Sequence, residues 1–162
     1  MIETERIFEA REALAEALAR DVGDELARAI EAKGKATLAV SGGTTPKLFF
    51  EKLSQIDIAW PRVSVTLVDE RQVPETSERS NARLVRQHLL QNKAAAARFV
   101  PLVGNPDAEK IPAFDVAVLG MGNDGHTASF FPGGDTLAEA LDGGTAKRLI
   151  AITAPGAGEP RL

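Results

Sequence analysis

The chain of 162 residues contains no cysteine, which excludes a disulfide scaffold, a thiolate zinc site, an iron–sulfur cluster and a cysteine nucleophile, and fits a reducing cytoplasm. With 44% hydrophobic and 26% charged residues it has the makeup of one globular domain, 1–162, able to bury about 70% of its unfolded surface without a staple. Its net charge of −4 disfavours nucleic acid and anionic membranes as partners, but leaves room for a small anion held by local basic groups.

The N-terminus, MIETERIFEAREALAEALARDV, is acidic and amphipathic and lacks the apolar run of a signal peptide. No stretch approaches the ~20 apolar residues of a membrane span. From Thr4 to Lys33 the apolar period predicts helix, with Leu14, Leu18, Val22, Leu26 and Ile30 along one stripe. Gly23 is a candidate break and Gly34 a candidate stop. Ala36–Val40 reads as a strand running into SGGTTP. Pro46 suits the first turn of the next helix, with Thr45 as candidate cap and Leu48, Phe49 and Leu53 as its buried face. Trp60-Pro61 leads into a second strand, Val63–Val68, followed by the polar stretch Asp69–Arg79. A third helix is expected from Ser80 or Asn81 to about Gln91, capped by Ser80 and burying Leu84, Val85 and Leu89. Phe99–Val103 and Val116–Leu119 read as strands, Thr136–Leu141 as a short helix and Arg148–Thr153 as another strand. The last residues, APGAGEPRL, read as a loop.

Apolar strands alternating with helices predict a Rossmann-like α/β domain, mainly a parallel sheet with helices on both faces. Such sheets bind ligands beyond the carboxyl ends of their strands. Three strands end in chemically suggestive segments: Val40 into SGGTTP, Val68 into DERQVP and Leu119 into GMGNDGHT. If the strands are parallel, all three open on one edge.

In SGGTTP two glycines let the backbone approach a ligand, Ser41, Thr44 and Thr45 offer hydroxyls, and the following helix aims its free amides at the same spot. That describes an anion site, most often for phosphate; the bland reading is a tight strand-to-helix turn. The loop lacks the G-K-[ST] ending of a nucleoside triphosphate site. Asp69, Glu70 and Arg71 need partners if buried. Arg71 suits an oxyanion or phosphate, Asp69 can orient a neighbour, and the competing reading is a solvated loop. Arg79 and Arg83 flank a helix start and read as surface residues. Gly120-Met-Gly122-Asn-Asp-Gly125 matches GxGxxG, but Pro132 cuts short the helix a dinucleotide needs, and no acid follows the next strand. Histidine as a residue type takes up and gives back a proton near neutrality, so His126 at this edge is a candidate to take a proton from water and return it. His88, one turn after Leu84, reads as a packing residue. Two distant histidines and no cysteine argue against a zinc site, and Ser41 lacks the GxSxG elbow of a serine nucleophile.

Taken in order, SGGTTP, WxxVxxxxVDERxVxxxxxxSN and GMGNDGHTASFFPG resemble the 6-phosphogluconolactonases of the bacterial cytosolic type. The resemblance spans the whole chain and implies a fold similar to that of glucosamine-6-phosphate deaminases, ribose-5-phosphate isomerases and CoA transferases. It implies hydrolysis of 6-phospho-D-glucono-1,5-lactone to 6-phospho-D-gluconate in the oxidative pentose phosphate pathway, in the cytoplasm and without a cofactor or metal. Carried over by motif, Ser41, Gly42, Gly43 and Thr44, with Thr45 beside them, cradle the phosphate, and Asn81 and Arg161 join the substrate site. His126 becomes the general base, with Asp69, Arg71 and Asp124 lining the site. Either Asp124 or Asp69 selects the imidazole tautomer, and Arg71 or glycine-loop amides face the oxyanion. Thr44 stands where the family commonly has serine and Phe130 where it often has leucine. Family members run past Leu162, so further C-terminal elements are expected to be missing here. The partner expected is a small sugar phosphate, and the protein a monomer or weak homo-oligomer. Two rivals are weighed. An amino-sugar phosphate deaminase follows its Asp-Gly-His with Asn-Glu-Pro, where this chain has Ser129-Phe130-Phe131-Pro132 and no acid. A non-catalytic sugar-phosphate sensor has no need of a titrating base.

Overall fold

Four segments, Ala36–Val40 (β1), Val63–Leu67 (β2), Arg98–Phe99 (β3) and Val116–Val118 (β4), pair side by side in the order β3-β2-β1-β4, every pair parallel. This is a computed structural model, and it describes residues 4–162. Val40 lies opposite both Leu67 and Val118, so β1, β2 and β4 end abreast and their three following loops leave one edge. All five residues of β1 are buried, which requires cover on both faces of the sheet at its centre. The helices are Arg11–Lys33 (α1), Lys47–Leu53 (α2), Asn81–His88 (α3) and Leu137–Ala140 (α4). α1 packs on α2 and β1, and α2 on α3. The core joins Leu26, Phe50, Leu53 and Val85 from the helices and Leu89, just after α3, to Leu38, Val40, Val65 and Leu67 from the strands, each at most 2% exposed. Each such burial contributes about 1.5–3 kcal/mol. Among the described residues no helix is long and apolar enough to cross a membrane.

Several local expectations are corrected. α1 starts at Arg11 rather than Thr4 and runs unbroken through Gly23, where a Cβ would stand 2.7 Å from Ile56 Cγ2. The glycine there admits a neighbour instead of ending the helix. Its buried stripe is Ala15, Ala19, Val22 and Leu26, and Leu14 is 43% exposed. Gly34 does stop the helix, at φ +79 with its amide on the Ile30 carbonyl. Thr45 makes no cap: Pro46 takes the cap position of α2 and no side chain bonds there. Ser80 caps α3, its Oγ accepting from Arg83 N at 3.2 Å, and the helix ends at His88 rather than Gln91. β3 pairing reaches Val100, whose amide bonds Val65 O, and Pro101 then has no N–H to continue it. Arg148–Thr153 is not a strand. Its polar groups pair with the loop at Asp135 and Thr136, and Ile152 forms a single antiparallel bridge with Arg161. The segment ending in Arg161 and Leu162 is therefore more ordered than a loop: Arg161 also bridges Arg71, and Leu162 exchanges backbone bonds with Glu70.

Candidate active site

The three loops meet through side chains. Ser41 ties the first to the third: its Oγ donates to Val118 O at 3.0 Å and accepts from Gly120 N at 3.1 Å. Its hydroxyl is thus committed to the scaffold. At Gly42 a Cβ would fall 1.8 Å from Asn81 Oδ1, so no other residue fits while Asn81 keeps its place. Gly43, at φ +93, turns the backbone outward, and Thr44 and Thr45 are exposed beyond it.

Asn81 is the hub of the second loop and is 2% exposed. Its Nδ2 donates to Asp69 O at 3.0 Å, and its Oδ1 accepts from Arg71 Nη1 at 3.0 Å. Arg71 Nη1 also donates to Arg79 O at 2.6 Å. Asp69 is 7% exposed and reaches the third loop, its Oδ2 accepting from Ser129 Oγ at 2.5 Å. It therefore pairs with Ser129 and Asn81, not with His126. Glu70 faces inward: its carboxylate accepts from the amides of Arg71, Asn81 and Ala82 and from Ser80 Oγ, at 2.7–3.1 Å. A carboxylate on the free amides at the start of α3 meets the positive end of the helix dipole. This residue fixes the site's floor, and within a charged triplet nothing in the sequence marks it as the buried one.

In the third loop Asp124 Oδ1 lies 2.5 Å from His126 Nδ1 and 3.3 Å from His126 N. The bond from the His126 side chain, opposed by burial and helped by the His126 backbone amide, holds the Asp124 carboxyl below its usual value. An ionised carboxylate only accepts, so Nδ1 carries the hydrogen and Nε2 its lone pair. Gly122 leaves the space this pair occupies; a Cβ there would stand 2.4 Å from His126 Cε1. The glycine of the GxGxxG pattern thus accommodates an imidazole. Loop closure is completed by Gly122 N on His126 O at 2.8 Å and Thr127 Oγ1 on Gly120 O at 2.9 Å. The His126 ring stacks on Phe131, centroids 4.1 Å apart at 28°. Arg161, 6% exposed, sets its guanidinium 5.4 Å from the centroid of the same ring. Burial first, and then the charge of Arg71, lower the Arg161 proton affinity, opposed by Asp69 and Glu159.

Between the first and second loops lies a cleft of about 490 Å³ lined by Gly43, Thr44 and four cations, Lys47, Arg71, Arg79 and Arg83. Glu78 shares this lining, Arg79 is paired with Glu159 at 2.7 Å, and Lys47 is the first residue of α2. Arg71 Nε and Arg161 Nε are buried without a hydrogen-bond partner, two donors left free on adjoining segments. Such groups suit an anion with several acceptor oxygens. A second cleft of about 350 Å³, beside Asp69 and Ser129, is walled largely by apolar residues such as Leu67, Leu102, Ile111 and Ile152, with Lys147 and Arg148 also in its lining. His88 lines neither cleft, and its Nδ1 lies 3.0 Å from Glu51 Oε1. Among the described residues no three His, Asp or Glu side chains gather as a metal site.

A family profile described as glucosamine-6-phosphate isomerases/6-phosphogluconolactonase matches residues 9–162. The chain belongs to this family. It is 56% identical to the 6-phosphogluconolactonase of Rhizobium meliloti over 169 residues, covering 96% of this chain and 73% of that one. The Neisseria meningitidis 6-phosphogluconolactonase is 45% identical over 170 residues, covering 94% and 72%. Among solved structures, a 6-phosphogluconolactonase from Shewanella baltica superposes with a TM-score of 0.88 at 42% identity, over 95% of this chain and 71% of that one. That from Thermotoga maritima gives 0.71 at 27% identity, over 91% and 71%. The family's fold is thus the fold found here, a parallel α/β sheet whose strand ends carry the motif loops. Sequence reasoning named most of the polar residues in these loops and missed Glu70, Ser129, Phe131 and Lys47. Glu70, Ser129 and Phe131 lie within the quoted motifs and Lys47 directly follows SGGTTP, and that placement was the signal available.

Proposed function

We propose that this protein hydrolyses 6-phospho-D-glucono-1,5-lactone to 6-phospho-D-gluconate, the lactonase step of the oxidative pentose phosphate pathway. The observation that carries this reading is the Asp124–His126 contact on the same sheet edge as a cleft lined by four cations. The phosphate docks against the amides of residues 43–45, Arg71 and Arg161, with Asn81 and Lys47 at its margin. Thr44 and Thr45 supply hydroxyls, and Ser41 and Gly42 hold the loop in shape. Docking fixes the lactone carbonyl near His126, which replaces an encounter with a positioned contact. With Nδ1–H on Asp124, Nε2 is free to take a proton from water as the water oxygen adds to the carbonyl carbon. Arg71 or the glycine-loop amides stabilise the oxyanion that forms. When the ring C–O bond breaks, Nε2 returns the proton to the departing ring oxygen and the imidazole is neutral again. Asp69, bound to Ser129 and Asn81, keeps the loops in register.

The segment after His126 favours this reading over an amino-sugar deaminase, since TASFFPGG contains no acid. The same reading takes the protein as a cytoplasmic enzyme, a monomer or weak homo-oligomer, with no nucleic-acid or membrane partner. Incubation with the phospholactone and, separately, with glucosamine 6-phosphate tests it. Acid release from the first without ammonia from the second is expected. Ammonia without lactone hydrolysis overturns the reading in favour of a deaminase, and binding without turnover in favour of a sensor.

A further inference from the structure

His126 is held in its own plane by Asp124, but one hydrogen bond at Nδ1 leaves the ring free to tilt about that bond. The second restraint is Phe131, stacked on the imidazole at 4.1 Å. Phe131 is itself pinned: its N–H donates to Ser129 O at 2.9 Å, its carbonyl accepts from Gly134 at 3.1 Å, and Ser129 Oγ binds Asp69. The same ring carries the Arg161 guanidinium at 5.4 Å, and Arg161 is bridged through its backbone to Arg71. One aromatic ring thus touches the group that moves the proton and a group that faces the phosphate. Stacked and cation–π contacts of this kind fix orientation as well as adding attraction, and the attraction grows when the imidazole gains charge.

Resting on the reading above, we propose that Phe131 is a positioning residue that sets the tilt of His126 and its spacing from Arg161, so that phosphate docking and proton transfer share one ruler. Phe131→Leu in the full chain keeps apolar volume and removes the ring. It should lower kcat by about tenfold, the scale of one aromatic contact, and raise KM for the phospholactone as Arg161 loosens. A merely structural role would leave the pH profile of kcat in place, while the stack itself is read from the His126 ring-proton resonances. With two histidines in the chain these are assigned by their loss in His126→Ala, and they should move downfield in Phe131→Leu as ring shielding disappears. Phe131→Tyr retains the stack and should restore both rate and resonance, which also guards against a Leu variant that folds poorly. Wild-type kcat in Phe131→Leu overturns the proposal. So does lost activity with an unchanged pH profile of kcat, or a Tyr variant as slow as the Leu variant. An unchanged rate in His126→Ala overturns the base assignment itself and takes this inference with it, an outcome readable apart from the other three.

Discussion

Asp124 and His126 are two residues apart yet meet side chain to side chain at 2.5 Å, because Gly125, at φ +84, reverses the backbone and Gly122 leaves the volume the imidazole fills. The contact is local in sequence and exposed on one side, with Asp124 54% accessible. Its value lies in selecting the tautomer that leaves Nε2 free, more than in holding the fold.

His126→Ala should therefore lower turnover of the phospholactone by roughly 100-fold or more while the thermal midpoint stays near that of the parent. Asp124→Asn should cost less, on the order of tenfold, since water partly replaces an exposed carboxylate. Steady-state kinetics on both variants checks the ranking, and a larger loss in Asp124→Asn would contradict it.

Glycine substitutions separate close approach from flexibility. Gly122→Ala would drive a methyl into the His126 ring and should remove most activity with little loss of stability. Gly42→Ala would collide with Asn81 and should destabilise by about 1–3 kcal/mol as Asn81 releases Arg71 and Asp69. Gly143→Ala, with nothing within 4 Å of the added carbon, is the matched control and should change neither property. Denaturant midpoints measured alongside activity distinguish the three.

Glu70 is 2% exposed and accepts four hydrogen bonds, three from backbone amides. Removing it leaves buried donors at the start of α3 unpaired, so Glu70→Ala should destabilise by about 3 kcal/mol or more. Urea unfolding gives the number, and a loss under about 1 kcal/mol would show that water reaches those amides.

Acid stability should depend on Asp115, which joins α1 to β1 beside β4. Its Oδ1 meets Lys33 Nζ at 2.5 Å and its Oδ2 accepts from Thr37 N at 2.8 Å. Burial acts to raise its pKa, but the Lys33 hydrogen bond and charge and the Thr37 amide outweigh it and hold the carboxyl below the ordinary 3.8. A folded value beneath the unfolded one means stability present above the unfolded pKa and lost as pH falls through the folded pKa. Asp115→Asn should cost about 1 kcal/mol at neutral pH and flatten the stability curve below the ordinary 3.8, seen by thermal unfolding across pH.

What the sequence by itself determined was local. Apolar runs located β1 and β2 almost to the residue, Ser80 announced the start of α3 through its cap, and the motif loops identified His126, Asp124 and Arg71 as candidates. Those signals come from a residue's own geometry or from neighbours a few positions away. Tertiary structure decided what depended on distant partners. Gly23 proved to be room for Ile56, and Glu70 turned inward onto α3. Asp69 went to Ser129 and left His126 to Asp124, and the run through Arg161 bridged Arg71 and Ile152. In these cases the free energy comes from contacts between residues 9 to 90 positions apart, set by shape and by the need to satisfy buried polar groups. Which charge of Asp69-Glu70-Arg71 is buried is decided by the amides waiting at the start of α3, not by the triplet's composition.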